Sequence, residues 1–172
     1  MLLTPKQNPA AFSREIVRAL VEGLPVEPPD EEFYRRRAAC FVSIKRDARL
    51  RGCIGTLEPV EKELGLELVR NARSAAFADP RFSPVGGDEL PYLSFSVDVL
   101  SRSEAVESNS ELDCEKYGVI VSCDYRRGVL LPDLEGVTSV EHQLSIACQK
   151  AGISPHEQFG IERFMVDRYH EE

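Results

Sequence analysis

Strand-like apolar alternation in this chain comes in paired runs around short polar turns, and that arrangement limits the available folds more than any single residue does. "CFVSIKRDARLRGCIG", residues 40–55, holds two such runs joined by the charged, turn-prone "KRDAR" and predicts a β-hairpin. "YGVIVSCD" and "GVLLP", flanking the short turn "YRR", predict a second. "LSFSVDVLS" alternates Leu93, Phe95, Val97 and Val99 with Ser94, Ser96 and Asp98, the pattern of a strand with one buried and one wet face. "IERFMVDRY" reads as a final strand. Helical spacing appears three times. Asn8 and Pro9 form an N-cap and first-turn proline ahead of Phe12, Ile16, Ala19 and Leu20, with Gly23 at the end. Leu64, Leu68, Ala72, Ala75 and Ala76 mark a second helix that begins right behind "GCIGT" and that Pro80 stops at Asp79. Thr138 and Glu141 fit a capping box for the third, whose stripe is Val140, Leu144, Ala147, Cys148 and Ala151 before Gly152. "LPVEPPDEEF" reads as an irregular connection. Because strands cluster as hairpins instead of alternating strictly with helices, the expected class is α+β, with a mixed or mainly antiparallel sheet and flanking helices. No internal repeat or low-complexity segment is visible.

With 172 residues, 42% hydrophobic, the chain can bury a real core, and one domain over residues 1–172 is the expectation. A net charge of -8 repels phosphate backbones and anionic lipid surfaces, which argues against nucleic acid. The start, "MLLTPKQNPAAFSREIV", lacks a basic region followed by a long apolar run, and no later segment approaches about eighteen consecutive apolar residues, so neither export nor a membrane is expected. Cys40, Cys53, Cys114, Cys123 and Cys148 form no C-x-x-C pair, and His142, His156 and His170 form no H-x-x-x-H motif. That spacing points away from a metal site or a dithiol couple and towards reduced thiols in a cytoplasm. No cofactor signature is present.

The candidate chemistry centres on "RLRGCIGTLEP", residues 49–59. In an extended strand the two-residue period places Leu50 and Ile54 inward and Arg51 and Cys53 outward together, with Gly52 and Gly55 keeping the surroundings uncluttered. A cation beside a thiol, or a helix N-terminus, favours the thiolate. The ordinary alternative is that cysteine is a small buried filler where two backbones pass closely. No histidine is placed in sequence to act as its base. "GCIGT" leading into a helix also resembles an anion cradle built from amides, Arg51 and Thr56, against the plainer reading of a tight turn. "ADPRFSPV" puts Asp79 and Arg81 either in a local ion pair at a helix stop or on the rim of a cleft beside Arg51, with Asp98 lining the same cleft.

"LRGCIGTLEP", "AAFADPRF" and "ELPYLSFSVDVLS", followed by "GVIV", "RRGVLLP" and "ACQKAGI", closely resemble the AMMECR domain family over about residues 10 to 168. The resemblance implies a compact α+β domain of two unequal subdomains and no settled activity. Family members in bacteria and archaea are often encoded beside, or fused to, a Memo-like protein and a radical S-adenosylmethionine protein, which makes these the implied partners. The matching positions are Leu50 to Gly55, Asp79 to Phe82 and, more loosely, Arg127, Gly128, Leu131 and Pro132. Residues 24 to 39 match no family motif.

Two functions follow as expectations. One is an enzyme or enzyme subunit with Cys53 and Arg51 as catalytic residues, and Gly52, Gly55, Thr56, Asp79 and Arg81 binding a small anionic or nucleobase-like substrate in a pocket. The other is a non-catalytic adaptor whose glycine-rich motif docks a Memo-like or radical S-adenosylmethionine partner.

Overall fold

The computed structural model describes residues 8–171; residues 1–7, where the reading for an export signal begins, lie outside the described residues. In chain order the elements are α1 (Pro9–Val21), α2 (Glu32–Arg35), β1 (Cys40–Arg46), β2 (Arg49–Gly55), α3 (Leu64–Phe77), β3 (Leu93–Leu100) and β4 (Glu104–Val106). There follow β5 (Gly118–Cys123), β6 (Arg126–Leu130), α4 (Val140–Ala151), β7 (Gly160–Phe164) and β8 (Val166–His170). The chain divides into two compact units, the first running to Leu100 and resuming at Asp167, the second Ser101–Val166.

The first unit holds the sheet β2-β1-β3-β8. Val42, Ile44, Phe95 and Val97 point to one face and bury against Ile16 and Val17 of α1 and Leu64, Leu68, Ala72 and Ala75 of α3. Asn8 caps α1 as the sequence predicts, its side chain accepting from the Ala10 amide at 2.9 Å, and it also donates to the His170 carbonyl at 2.8 Å. The β1–β2 hairpin turns through Asp47 and Ala48, both at positive φ (50° and 61°), the geometry whose twist matches two antiparallel strands.

The second unit holds the sheet β4-β7-β5-β6, with Val119, Val121 and Leu130 packed on Leu144, Ala147 and Cys148 of α4. Read from its hairpin edge the order is β6-β5-β7-β4, which reproduces β2-β1-β3-β8: a hairpin, a helix laid across it, then a strand returning beside the hairpin's first strand. Both helices approach so closely that only glycine fits beneath. A Cβ on Gly52 would lie 2.2 Å from the Ala75 carbonyl oxygen of α3, and one on Gly128 would lie 2.1 Å from that of Ala147 in α4. The shared plan is a repeat of structure that the sequence does not display.

Several expectations are corrected. "IERFMVDRY" is two strands in two different sheets, broken at Met165. The second hairpin turns at Asp124 and Tyr125, with Asp124 taking the left-handed position (φ 54°), so both arginines of "YRR" lie in β6. Helix α4 is capped by Ser139, whose hydroxyl accepts from the His142 amide at 3.1 Å, one residue later than the Thr138–Glu141 spacing implies. Residues 56–63 separate β2 from α3, so the helix N-terminus does not abut Cys53. Leu50 is 42% exposed instead of inward. Its displacement has a local cause: Ile44 pairs with Gly52 but Lys45 with Leu50, leaving Arg51 as the extra residue of a β-bulge, which breaks the two-residue alternation.

Candidate functional site

Strand β2 is the edge of its sheet, and an edge strand leaves main-chain donors and acceptors without a neighbour. At Cys53 the gap is filled by side chains. Its amide donates to Asp79 Oδ2 at 3.0 Å, and its carbonyl accepts from Arg81 Nη2 at 3.2 Å. Asp79, just past the end of α3, is 4% exposed and also accepts from Arg81 at the amide (3.1 Å), Nε (3.0 Å) and Nη2 (2.8 Å). The Arg81 guanidinium, then burial-opposing main-chain donors, hold the Asp79 carboxyl well below the usual carboxylate range. Arg81 itself is 55% exposed at its side chain, and its Nη1 has no hydrogen-bond partner among the described residues.

Because the Cys53 amide and carbonyl turn outward to this clamp, the residue opposite on β1, Ser43, forms a non-hydrogen-bonded pair with it, the kind that brings side chains closest. The Cys53 sulfur lies 3.2 Å from the Ser43 hydroxyl, and both residues are half-buried. Ser96 continues the row on β3, and Asp98 two residues on is held by Arg168 at 2.7 Å. Cys53 is thus not sealed among apolar side chains, and it lines none of three surface cavities of about 630, 570 and 470 Å³ formed by the described residues. Cys40, by contrast, is fully buried, and burial pushes its thiol up to about 12.

Arg51, expected to face outward beside Cys53, sits where the two-residue alternation is broken. As the bulged residue it turns to Glu89, donating from Nε at 3.0 Å and Nη2 at 2.7 Å, while Glu89 also accepts from the Gly86 amide at 3.0 Å. The second unit contains a similar ion pair, though its arginine lies two residues before Gly128 where Arg51 lies one before Gly52. Arg126 donates to Glu157 at 2.5 and 3.1 Å, and Glu157 accepts from the Ser154 amide, again three residues before it, at 2.7 Å. The cation beside Cys53 is Arg81.

The anion cradle expected from Gly52, Gly55 and Thr56 is not formed. Gly52 passes under α3, and a Cβ on Gly55 would fall 2.3 Å from the Phe41 ring. The Thr56 hydroxyl donates to Glu67 Oε1 at 2.5 Å, and the amides of Val60 and Glu61 donate to Oε2 at 2.9 and 2.7 Å. The loop does bind a carboxylate, but one from its own chain: Glu67 is fully buried. Glu67→Leu, of similar size, leaves these three donors without their acceptor, and a loss of about 2–3 kcal/mol is expected, read as a lower urea midpoint at unchanged slope.

Ser43, Glu67, Glu89 and Arg168 escaped the sequence reading. Glu67 sits among the apolar positions of α3, and that placement was its available signal. No group of three or more His, Cys, Asp and Glu able to hold a metal occurs among the described residues, and among them no helix is long and apolar enough to cross a membrane.

The AMMECR1 family matches residues 10–172. The chain belongs to the AMMECR1 family. A Thermotoga maritima protein is 52% identical over 147 residues, covering 84% of each chain. "Protein CA_C1420" of Clostridium acetobutylicum is 50% identical over 148 residues, which are 84% of this chain but only 31% of that protein. The crystal structure of the uncharacterized protein PH0010 from Pyrococcus horikoshii superimposes with a TM-score of 0.87 at 27% identity, covering 95% of this chain and 90% of that one. The segment "LRGCIG" within the matched residues falls on β2, with Arg51 in the bulge, Gly52 beneath α3 and Cys53 in the side-chain clamp.

Proposed function

We propose that the Cys53 edge of the first sheet is a catalytic site for a small anionic substrate, with Cys53 supplying the reacting sulfur and Arg81 the anion-binding group. One observation carries this reading: the thiol lies 3.2 Å from a hydroxyl, on a residue whose carbonyl accepts from an exposed guanidinium, at a position the scaffold fills with aliphatic side chains elsewhere. In the second unit, counting from Gly128 as from Gly52, the corresponding pair is Val129 opposite Ile120, and Lys150 donates to the Val129 carbonyl at 3.0 Å as Arg81 does to that of Cys53. Strand pairing and edge protection thus need neither a thiol nor a hydroxyl here. Arg81 Nη1 supplies a free, charged donor for a carboxylate or phosphate.

The test is iodoacetamide labelling of the folded protein, mapped by peptide mass spectrometry across pH 6 to 10. Cys53 is expected to label while buried Cys40 and Cys148 stay protected, and inorganic phosphate is expected to slow Cys53 labelling in the native protein but not in Arg81→Ala. A Cys53 that resists labelling until the protein unfolds contradicts the reading.

A second reading is favoured by the length of the Clostridium acetobutylicum relative, most of which lies outside the matched part. In it the domain is a docking module for a Memo-like or radical S-adenosylmethionine partner, and the motif serves the interface. Co-purification with such a partner separates the two: Cys53→Ser leaves binding intact under the first reading, whereas under the second it leaves pathway activity intact as well.

A further inference from the structure

We propose that Ser43 is the positioning residue of the Cys53 site, its hydroxyl holding the sulfur and donating to it once the thiol is ionised. This rests on the reading of Cys53 as the reacting group and adds how its reactivity is set.

The pairing follows from the bulge. A two-residue turn at Asp47 and Ala48 with unbroken register places Ser43 opposite Gly52, which has no side chain to meet. The extra residue Arg51 slides β2 by one, so that Ser43 faces Cys53. The clamp then makes this the close, non-hydrogen-bonded kind of pair by taking the Cys53 amide and carbonyl to the other side.

At 3.2 Å either atom donates while the thiol is neutral. When the thiol loses its proton to solvent, only the serine O–H remains as donor, and rotation about its C–O bond turns it to the sulfur. The bond therefore survives ionisation with its direction reversed, and a hydrogen bond to the charged form favours that form. No other hydrogen bond engages the Ser43 hydroxyl among the described residues. Nor does the sheet require serine there, since Ile120 occupies the corresponding position.

The test is the pH dependence of iodoacetamide labelling at Cys53 in the native protein and in Ser43→Thr and Ser43→Val, two β-branched, nearly isosteric variants that differ in the hydroxyl; Ser43→Ala guards against a packing artefact. Far-ultraviolet circular dichroism verifies the fold, and Cys123 serves as the internal reference. At pH 7 the Val and Ala variants are expected to label at Cys53 about three- to tenfold more slowly than the native protein, with the rise in rate displaced to higher pH, and Thr restores the native profile. Superimposable Cys53 profiles in all four proteins, with native Cys53 reactive, overturn the role of Ser43 and leave the proposed site standing. Native Cys53 that does not label overturns both.

Discussion

Gly52→Ala is expected to destabilise the protein by about 3 kcal/mol or more, lowering the thermal midpoint by roughly 6–12 °C. The new Cβ would sit 2.2 Å from the Ala75 carbonyl oxygen, and the obstructing atom is helix backbone rather than the tip of a flexible side chain. Relief therefore requires β2 and α3 to separate, and their contact is part of the core built by Ala72, Ala75 and Ile54. Gly128→Ala meets the Ala147 carbonyl oxygen at 2.1 Å and should behave alike in the second unit. Gly160→Ala, whose nearest atom would be 3.9 Å away, is the control and should change stability by less than about 1 kcal/mol. Differential scanning calorimetry of the three variants checks the ranking; a Gly52→Ala protein as stable as the Gly160→Ala protein refutes the close approach.

Asp79→Ala is expected to cost about 2–4 kcal/mol, because a buried carboxylate is removed while its donors remain. The Cys53 amide loses its acceptor, and Arg81 loses the anchor that holds it on the Cys53 carbonyl. Arg81→Ala should cost less: its side chain is half in water, and Asp79 keeps the amides of Cys53 and residue 81. The pH dependence has a definite sign. The Asp79 carboxyl is held below its ordinary value in the folded protein, so its stabilisation is fully present above the unfolded value of about 3.9 and is lost as pH falls below it towards the folded value. Urea titrations between pH 7 and pH 2.5 should therefore show the gap between native and Asp79→Ala proteins closing only at the acid end. A gap that stays constant through that range assigns the effect to packing instead of charge.

Much of the fold was legible because it is written in local periodicity. The α1 cap at Asn8, the apolar stripe of α3 and both hairpins depend on neighbours a few residues apart, and sequence displays such neighbours directly. The misread places are those where a distant partner or one extra residue intervenes. "IERFMVDRY" has continuous strand character, yet its halves hydrogen-bond in different sheets, a choice made by which edges are available. "GCIGT" has the composition of an anion cradle, yet of its donors only the Thr56 hydroxyl, joined by the amides of Val60 and Glu61 further along the loop, meets a carboxylate, and that carboxylate is Glu67, placed by the turn of a helix eight residues on.

At the site itself the division is sharper. Sequence alone determined that Cys53 lies on a strand between two glycines, that Asp79 and Arg81 follow the helix, and that the chain belongs with the AMMECR1 family. Only the tertiary structure decided which cation reaches Cys53, at its carbonyl. The bulge removes Arg51 to Glu89, brings Ser43 opposite Cys53, and leaves Arg81 to close the strand edge. A one-residue slip changes every cross-strand pairing beyond it at almost no cost in local propensity, so the register that creates this site is settled by packing and edge hydrogen bonds, not by the residues of the strand itself.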